Sequence, residues 1–475
     1  MSAVDSVDSV VFDPAIIRRF DVNGPRYTSY PTADRFAPLG AERARHHLGA
    51  RATQELGQGQ GRPLSLYFHV PFCNTICYYC ACNKIITKDH GRSAKYLRYL
   101  ARELALQSAC LPAGDNVVEQ LHWGGGTPTF LSHAEMRDLM AATRRHFTLR
   151  EDGEYSIEVD PRKVDRATVE LLAELGFNRM SVGVQDFDPD VQQAVNRVQS
   201  EAETRAVIDA ARATGFGSIS IDLIYGLPRQ SVAGFDRTLD RVLEASPDRL
   251  SIYNYAHLPT LFKPQRRILD ADLPSPDTRL HILDLAIRRL TDAGYVFIGM
   301  DHFAKPDDEL AVAQRAGRLH RNFQGYSTHA DCDMLSFGIS SISKVGTAYW
   351  QNAKTLDEYY AALDAGELPV LRGIELTPDD QLRRAVIQQL MCHFELSLDA
   401  LDAAYGIDSA QYFATELADL REMADAGLVR LEPRRLVVLS PGRMLVRAIS
   451  MVFDAWLRKG RQDAGRQGGR YSKVI

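Results

Sequence analysis

The spacing Cys73-x3-Cys77-x2-Cys80, inside the segment LYFHVPFCNTICYYCACN, constrains this chain more than any other feature. Three thiolates on one short loop can hold three irons of a cubane and leave the fourth iron with an open coordination position. Structural zinc is the competing reading of clustered cysteines, but zinc closes its shell with four ligands, usually from two separated pairs. No second pair follows, so the loop is read as the seat of a [4Fe-4S] cluster with Cys73, Cys77 and Cys80 as metal ligands. Four of the seven cysteines fall between positions 73 and 82, too close together for a disulfide framework. Cys110, Cys332 and Cys392 read as isolated buried thiols. Such clustering points to metal chemistry in a cytoplasmic setting.

A chain of 475 residues, 45% hydrophobic and 25% charged, has material for two or three folding units. Its net charge of −5 argues against a general attraction to nucleic acid or anionic membrane, while leaving room for a local basic pocket. No apolar run reaches the length of a bilayer span. The opening MSAVDSVDSVVFDPAIIRRF lacks the basic start and apolar centre of a secretory signal.

From residue 64 onward, β-rich runs alternate with amphipathic segments: Leu64–Val70, Val117–Trp123, Tyr155–Val159, Met180–Val184, Ile219–Ile224 and Leu250–Tyr255. Helices between them are legible from their stops, Ala167–Leu175 before Gly176 and Glu201–Ala213 before Gly215. This rhythm predicts an α/β fold with a parallel sheet, a partial (β/α)6-type TIM-like barrel. Reactive groups of such barrels sit at the C-terminal ends of the strands. Beyond about residue 370 the pattern turns helical (Asp379–Cys392, Leu398–Tyr405, Phe413–Ala426) and ends in the hairpin-like LVRLEPRRLVVLS, a small winged-helix-like unit. It lacks a strongly basic recognition helix, which favours packing over DNA binding. The expected organisation is an N-terminal arm over 1–62, closing on Gly57-Gln58-Gly59-Gln60-Gly61, a barrel over 63–369, a C-terminal domain over 370–458 and a basic tail over 459–475.

Cys-x3-Cys-x2-Cys is the signature of the radical S-adenosylmethionine superfamily, and the likeness extends well beyond it. The segments RYTSYPTADRF, HWGGGTPTF, SIEVDPR, GVQDFDPDVQQAVNRVQ, IDLIYGLP, YNYAHLP, DHFAKPDDELA and RNFQGYSTHADCDMLSFGISSIS resemble those of the oxygen-independent coproporphyrinogen III oxidase family, over essentially the whole chain. The resemblance implies oxidative decarboxylation of two propionates of coproporphyrinogen III to vinyls by way of a 5′-deoxyadenosyl radical. It also implies a low-potential electron donor, a final electron acceptor, a monomeric enzyme and two S-adenosylmethionine molecules per chain. A radical of this kind must be shielded from water, and the arm carrying RYTSYPTA is the expected cover.

By the same resemblance, Tyr67, Tyr79, Gly125 and Glu158 contact the first S-adenosylmethionine, with Ile342 near its adenine. Gly126, Thr127, Gln185, Arg197, Asp222 and Ala256 contact the second. The residue types suit these tasks: glycines admit close backbone approach, carboxylates accept from amino or hydroxyl groups, and arginine can clamp a carboxylate. Each type also has an ordinary structural use, in a turn, a cap, an ion pair or a core. Cys82, one residue past the third ligand, is the candidate catalytic residue; in the family a Cys-x-Cys ending separates the oxidases from haem-chaperone relatives. Arg26, Lys84, Arg162, Arg321 and Lys344 are candidates for the substrate's carboxylates. Ala81, His329 and Cys332 depart from the family pattern. Two rival readings remain at this point, a haem-trafficking protein on the same scaffold and a zinc-containing DNA regulator.

Overall fold

The computed structural model describes residues 10–53, 62–329, 332–463 and Lys473. The Gly57-to-Gly61 stretch and most of the expected basic tail lie outside the described residues. Two compact units emerge: one joins Phe36–Ile282 to Asp331–Glu375, and the other joins the residues up to Arg35, Leu283–Ala330 and the residues from Leu376 onward. The division is therefore interleaved along the chain, where the sequence pattern suggested consecutive blocks. Residues 283–330 group with the C-terminal part.

In the first unit each β-rich run forms a strand. These are β1 (Leu64–Val70), β2 (Val117–Gly125), β3 (Thr148–Val159), β4 (Arg179–Gln185), β5 (Ser218–Tyr225) and β6 (Arg249–Asn254). They lie side by side in chain order and every neighbouring pair is parallel. The helices α1 (Gly91–Ala109), α2 (His133–His146), α3 (Arg166–Glu174), α4 (Glu201–Ala213) and α5 (Val232–Ala245) make the crossovers. Strands covered on both faces need apolar residues at successive positions, which is why β1 reads LSLYFHV and buries all but Tyr67. Trp123 on β2 is wholly buried between edge-on contacts with Phe68 and Phe177.

Helix starts follow local chemistry. Ser132 opens α2 with a reciprocal capping box: its Oγ accepts from the Glu135 amide at 3.3 Å, and Glu135 Oε2 accepts from the Ser132 amide at 2.8 Å. Ser200 and Glu203 repeat the device at α4. Gly176 and Gly215 follow α3 and α4 with φ of 101° and 87°, the left-handed geometry that their sequence positions predict.

The sheet extends past β1 in a way the strand–helix rhythm does not reveal. β7 (Asp333–Phe337) pairs parallel with Leu64–Phe68, and β8 (Ile342–Val345), β9 (Ala348–Asn352) and β10 (Val370–Glu375) continue antiparallel to an edge at Ala37–Pro38. Helix α6 (Leu356–Asp364) joins β9 to β10.

In the second unit, α7 (Pro378–His393) and α8 (Leu398–Tyr405) stand where expected. The expected helix over Phe413–Ala426 is interrupted at Leu420, giving Ala414–Asp419 and Arg421–Asp425. The hairpin forms from Val429–Glu432 and Arg435–Val438, and Glu395–Ser397 adds a third strand. Part of the N-terminal arm is lashed to this unit. Tyr27 donates to Asp454 at 2.9 Å, Tyr30 accepts from the Ala455 amide at 3.1 Å, and Arg447 donates to the carbonyls of Gly24 and Pro25. Among the described residues, no helix is long and apolar enough to cross a membrane.

Candidate active site

The cysteine loop leaves the C-terminal end of β1 and is held by contacts with neighbouring segments. Phe72–Cys73 pairs with Ile85–Ile86, with Ile85 N on Pro71 O at 2.7 Å and Thr87 N on Cys73 O at 3.0 Å, so the intervening residues form a closed loop. A turn from Cys80 N to Cys77 O at 3.2 Å brings two thiols to one side. Tyr78 N donates to Val195 O at 2.9 Å, Asn196 Nδ2 to Ile76 O at 2.7 Å, and Gln265 Nε2 to Tyr79 O at 3.0 Å. Lys84 Nζ reaches the carbonyls of Cys80 and Cys82 at 3.1 and 3.3 Å. The loop is thus preorganised around the thiols.

Cys73, Cys77, Cys80 and Cys82 all line a cavity of about 300 Å³ at the strand ends. The rest of its wall includes Tyr79, Gly125, Gly126, Thr127, Glu158, Gln185, Arg197 and Asp222. Three convergent thiols suit the three protein ligands of a [4Fe-4S] cluster, and none of the seven cysteines is in a disulfide. Without metal the thiols differ. Burial pushes Cys73 up to about 11, while Cys80 is drawn down to about 6, first by a hydrogen bond from Cys82 and then by Lys84.

The last glycine of β2 and the one that follows it are required by space. A Cβ on Gly126 would stand 2.7 Å from the Pro71 carbonyl, and one on Gly125, whose φ is 111°, would stand 2.6 Å from His69 Nδ1. This close approach lets Gly126 N reach Val70 O at 2.8 Å and Thr127 N reach Phe72 O at 2.9 Å. Gly125 N donates to Glu158 Oε2 at 3.0 Å, and His122 Nε2 lies 3.4 Å from Oε1. Burial pushes the Glu158 carboxyl up, but His122 and the Gly125 amide outweigh it, and the group ends below the usual range.

The far wall comes from β4, β5 and β6. The register of β4 slips between Gly183 and Gln185, and Gln185 adopts a left-handed φ of 69°. Such a bulge re-aims a side chain at a strand end. Gly183 makes the room: a Cβ there would meet Gln185 Nε2 at 2.9 Å and Arg197 Nη2 at 3.0 Å. Arg197 donates through Nη2 to Gly183 O at 2.6 Å, while its buried Nε has no hydrogen-bond partner among the described residues. Burial raises Asp222 to about 6, opposed by the Ser181 hydroxyl at 2.8 Å.

Three of the expected cofactor residues do not line the cavity. Tyr67 stacks on His122 with centroids 5.8 Å apart and its OH lies 3.1 Å from His69 Nδ1, so it stands behind Glu158. Ala256 follows β6 and Ile342 opens β8, both half-buried. Of the basic candidates, Lys84 and Arg162 line the cavity. Lys344 does not; it is engaged by Asp333 at 3.7 Å and the Cys332 carbonyl at 3.5 Å. Arg26 and Arg321 belong to the other unit, where Arg26 pairs with Asp301 and Arg321 Nε donates to the Arg26 carbonyl at 3.4 Å. His329 donates its amide to Ser327 Oγ at 3.1 Å, and Cys332 is buried.

The structure adds Asp160, Lys163, Ser181, Gly183 and Tyr253 to the cavity wall. The alternation of strand side chains could have found several of them, since 181 and 183 share one face of β4, and 158 and 160 share one face at the end of β3. Four cations (Lys84, Arg162, Lys163, Arg197) face three carboxylates (Glu158, Asp160, Asp222), so the cavity is biased towards an anionic guest within an acidic chain.

A parallel sheet whose first strand runs into a three-thiolate loop, beside a glycine cradle and a charged cavity, defines a class of protein: the radical S-adenosylmethionine enzymes. Residues 67–242 match the Radical SAM superfamily, and residues 376–445 match the HemN C-terminal domain. An oxygen-independent coproporphyrinogen III oxidase of Pseudomonas aeruginosa is 51% identical over 476 residues, covering 99% of this chain and 100% of the relative. The protein of the same name from Escherichia coli is 49% identical over 470 residues, with 99% and 100% covered. The solved structure of coproporphyrinogen III oxidase (HemN) from Escherichia coli, described as a radical SAM enzyme, superposes with a TM-score of 0.89 at 47% identity, covering 94% of this chain and 100% of that one. The chain belongs to the oxygen-independent coproporphyrinogen III oxidase family.

Proposed function

We propose that this protein converts two propionate side chains of coproporphyrinogen III to vinyl groups without molecular oxygen, giving protoporphyrinogen IX and carbon dioxide in haem biosynthesis. The observation that carries the reading is the single cavity gathering Cys73, Cys77 and Cys80 with Glu158, Gln185, Arg197 and Asp222. When bound there, a [4Fe-4S] cluster and S-adenosylmethionine supply the electron and the 5′-deoxyadenosyl radical that takes the propionate β-hydrogen.

The protein's own part is to bind, orient and exclude water. Cys73, Cys77 and Cys80 hold the cluster. Gly125 and Glu158 receive the first S-adenosylmethionine, Tyr79 flanks it, and Tyr67 and Ile342 act from behind the cavity wall. Gly126, Thr127, Gln185, Arg197 and Asp222 receive a second molecule, with Ala256 at the margin. Cys82, on the cavity wall beside Cys80, faces the substrate. Lys84 and Lys163 supply positive charge for carboxylates. The reaction needs a low-potential electron donor and a final electron acceptor, and the protein works as a cytoplasmic monomer.

Incubation of the reconstituted protein under anaerobic conditions with S-adenosylmethionine, a reductant, an electron acceptor and coproporphyrinogen III is expected to give the divinyl product. Haem binding with an intact cluster and no vinyl product would instead assign the chain to haem trafficking.

A further inference from the structure

Arg162 lines the cavity and ends at the cysteine loop. Among the described residues its guanidinium has two hydrogen-bond partners, Asp160 and the sulfur of Cys77. Nη2 lies 2.6 Å from Asp160 Oδ2 and 3.9 Å from Cys77 Sγ, and Nε lies 2.9 Å from Asp160 Oδ1. Arg197 approaches the same sulfur from its own side, with Nη1 at 3.6 Å from Cys77 Sγ and 3.5 Å from Asp160 Oδ2. The three charged side chains are only 8–13% exposed. Two guanidiniums and one carboxylate therefore surround one cysteine sulfur, and these three side chains together present one positive charge in excess to it.

We propose that Arg162 tunes the reduction potential of the cluster by holding its cation against the Cys77 sulfur. The inference rests on Cys77 being a cluster ligand. Reducing a cluster adds one negative charge, shared by its thiolates. N–H donors and positive charge at a ligand sulfur stabilise that reduced form, the more so where little water screens them. Asp160 sets the size of the effect, because it neutralises part of the charge and fixes the guanidinium's direction. It also accepts from the Arg162 amide at 3.2 Å, so the turn Pro161–Lys163 presents the side chain to the loop. Arg197 shares the field, but it is tied to the Gly183 carbonyl and assigned to the cofactor. Arg162 is the member whose role is electronic.

The test is an EPR-monitored redox titration of the reconstituted cluster without S-adenosylmethionine, with iron and sulfide determined for each protein. Arg162→Gln is expected to keep a full iron and sulfide complement and to move the midpoint to more negative potential. Asp160→Asn, which frees the cation, is expected to move it the opposite way. Arg162→Lys keeps the charge but loses the fork and is expected to fall between wild type and Arg162→Gln. Opposite signs are what a merely structural role would not produce. If Arg162→Gln fails to hold a cluster, the positive shift of Asp160→Asn carries the test. Unchanged midpoints, or shifts of the same sign in Arg162→Gln and Asp160→Asn, overturn the proposal. Wild-type protein that takes up no iron overturns the ligand assignment itself, which is a separate result.

Discussion

Glu103 on α1 and Glu158 at the end of β3 are carboxylates of the same unit, and their surroundings differ in kind. Glu103 is wholly buried and accepts from four neutral donors: Asn352 Nδ2 at 2.7 Å, Gly338 N at 2.8 Å, Gln107 Nε2 at 2.9 Å and the Tyr359 hydroxyl at 2.5 Å. Glu158 accepts one amide and a long contact from His122, and the rest of it opens on the cavity. On the wall of the same cavity, Arg197 Nε has no hydrogen-bond partner among the described residues. A carboxylate saturated by protein donors serves the fold: Glu103 ties α1 to β9, α6 and the turn after β7, even though Gln107 Oε1 beside it has no hydrogen-bond partner among the described residues. A carboxylate that leaves capacity unspent at a cavity is arranged for a guest.

Substitutions on the two sides should therefore separate stability from activity. The largest effect is expected from serine at Cys73, Cys77 or Cys80. Each should abolish the brown visible absorption and the activity, while the thermal midpoint of the metal-free protein stays near wild type. Glu103→Leu should do the reverse. It strands the Gly338 amide and the Tyr359 hydroxyl, takes one acceptor each from Gln107 and Asn352, and is expected to cost about 4 kcal/mol in denaturant unfolding, while any protein that still folds binds iron. A Glu103→Leu protein as stable as wild type would break the comparison.

A finer effect concerns pH. Burial pushes Glu103 up to about 7 from an ordinary 4.5, despite its four donors. A carboxyl with a raised folded pKa contributes stability that is complete below the unfolded value and lost as pH rises through the folded one. Wild type should thus lose about 3 kcal/mol between pH 4.5 and 8 from this group, and Glu103→Gln should flatten that slope. On the cavity side, Gly183→Ala is expected to weaken S-adenosylmethionine binding roughly tenfold by calorimetry, since the added methyl displaces Gln185 and Arg197 by a few tenths of an ångström. The smallest expected effect is at Asp222. Cofactor affinity should rise as pH passes about 6 and the carboxylate ionises, and Asp222→Asn should remove that step.

The same contrast governs what the sequence discloses. The parallel strands are legible because β1 is an apolar run covered on both faces and β3, β4 and β5 alternate buried with half-buried residues, and the cluster loop is legible because ligand spacing is local. β7 to β9 are not: Asp333, Ser336, Ser343, Gln351 and Asn352 are buried there, so polar letters interrupt the pattern that marks a strand. Glu103 looks like one more charged helix residue until Tyr96, Leu100, Glu103 and Gln107 are seen to share the buried face of α1. The orientation of Gln185 depends on a bulge, and the close approach at Gly126 depends on a neighbouring strand's turn. Both arise from chain segments distant in sequence, so no local pattern carries them.

The central claim is that this cavity assembles a radical-generating site acting on coproporphyrinogen III. The most direct measurement is an anaerobic single-turnover assay of the reconstituted protein, supplied with a reductant, S-adenosylmethionine and an electron acceptor, following 5′-deoxyadenosine and porphyrinogen products together. The account predicts 5′-deoxyadenosine, carbon dioxide and protoporphyrinogen IX from wild type. Cleavage of S-adenosylmethionine by an intact cluster, with coproporphyrinogen III returned unchanged, would contradict it.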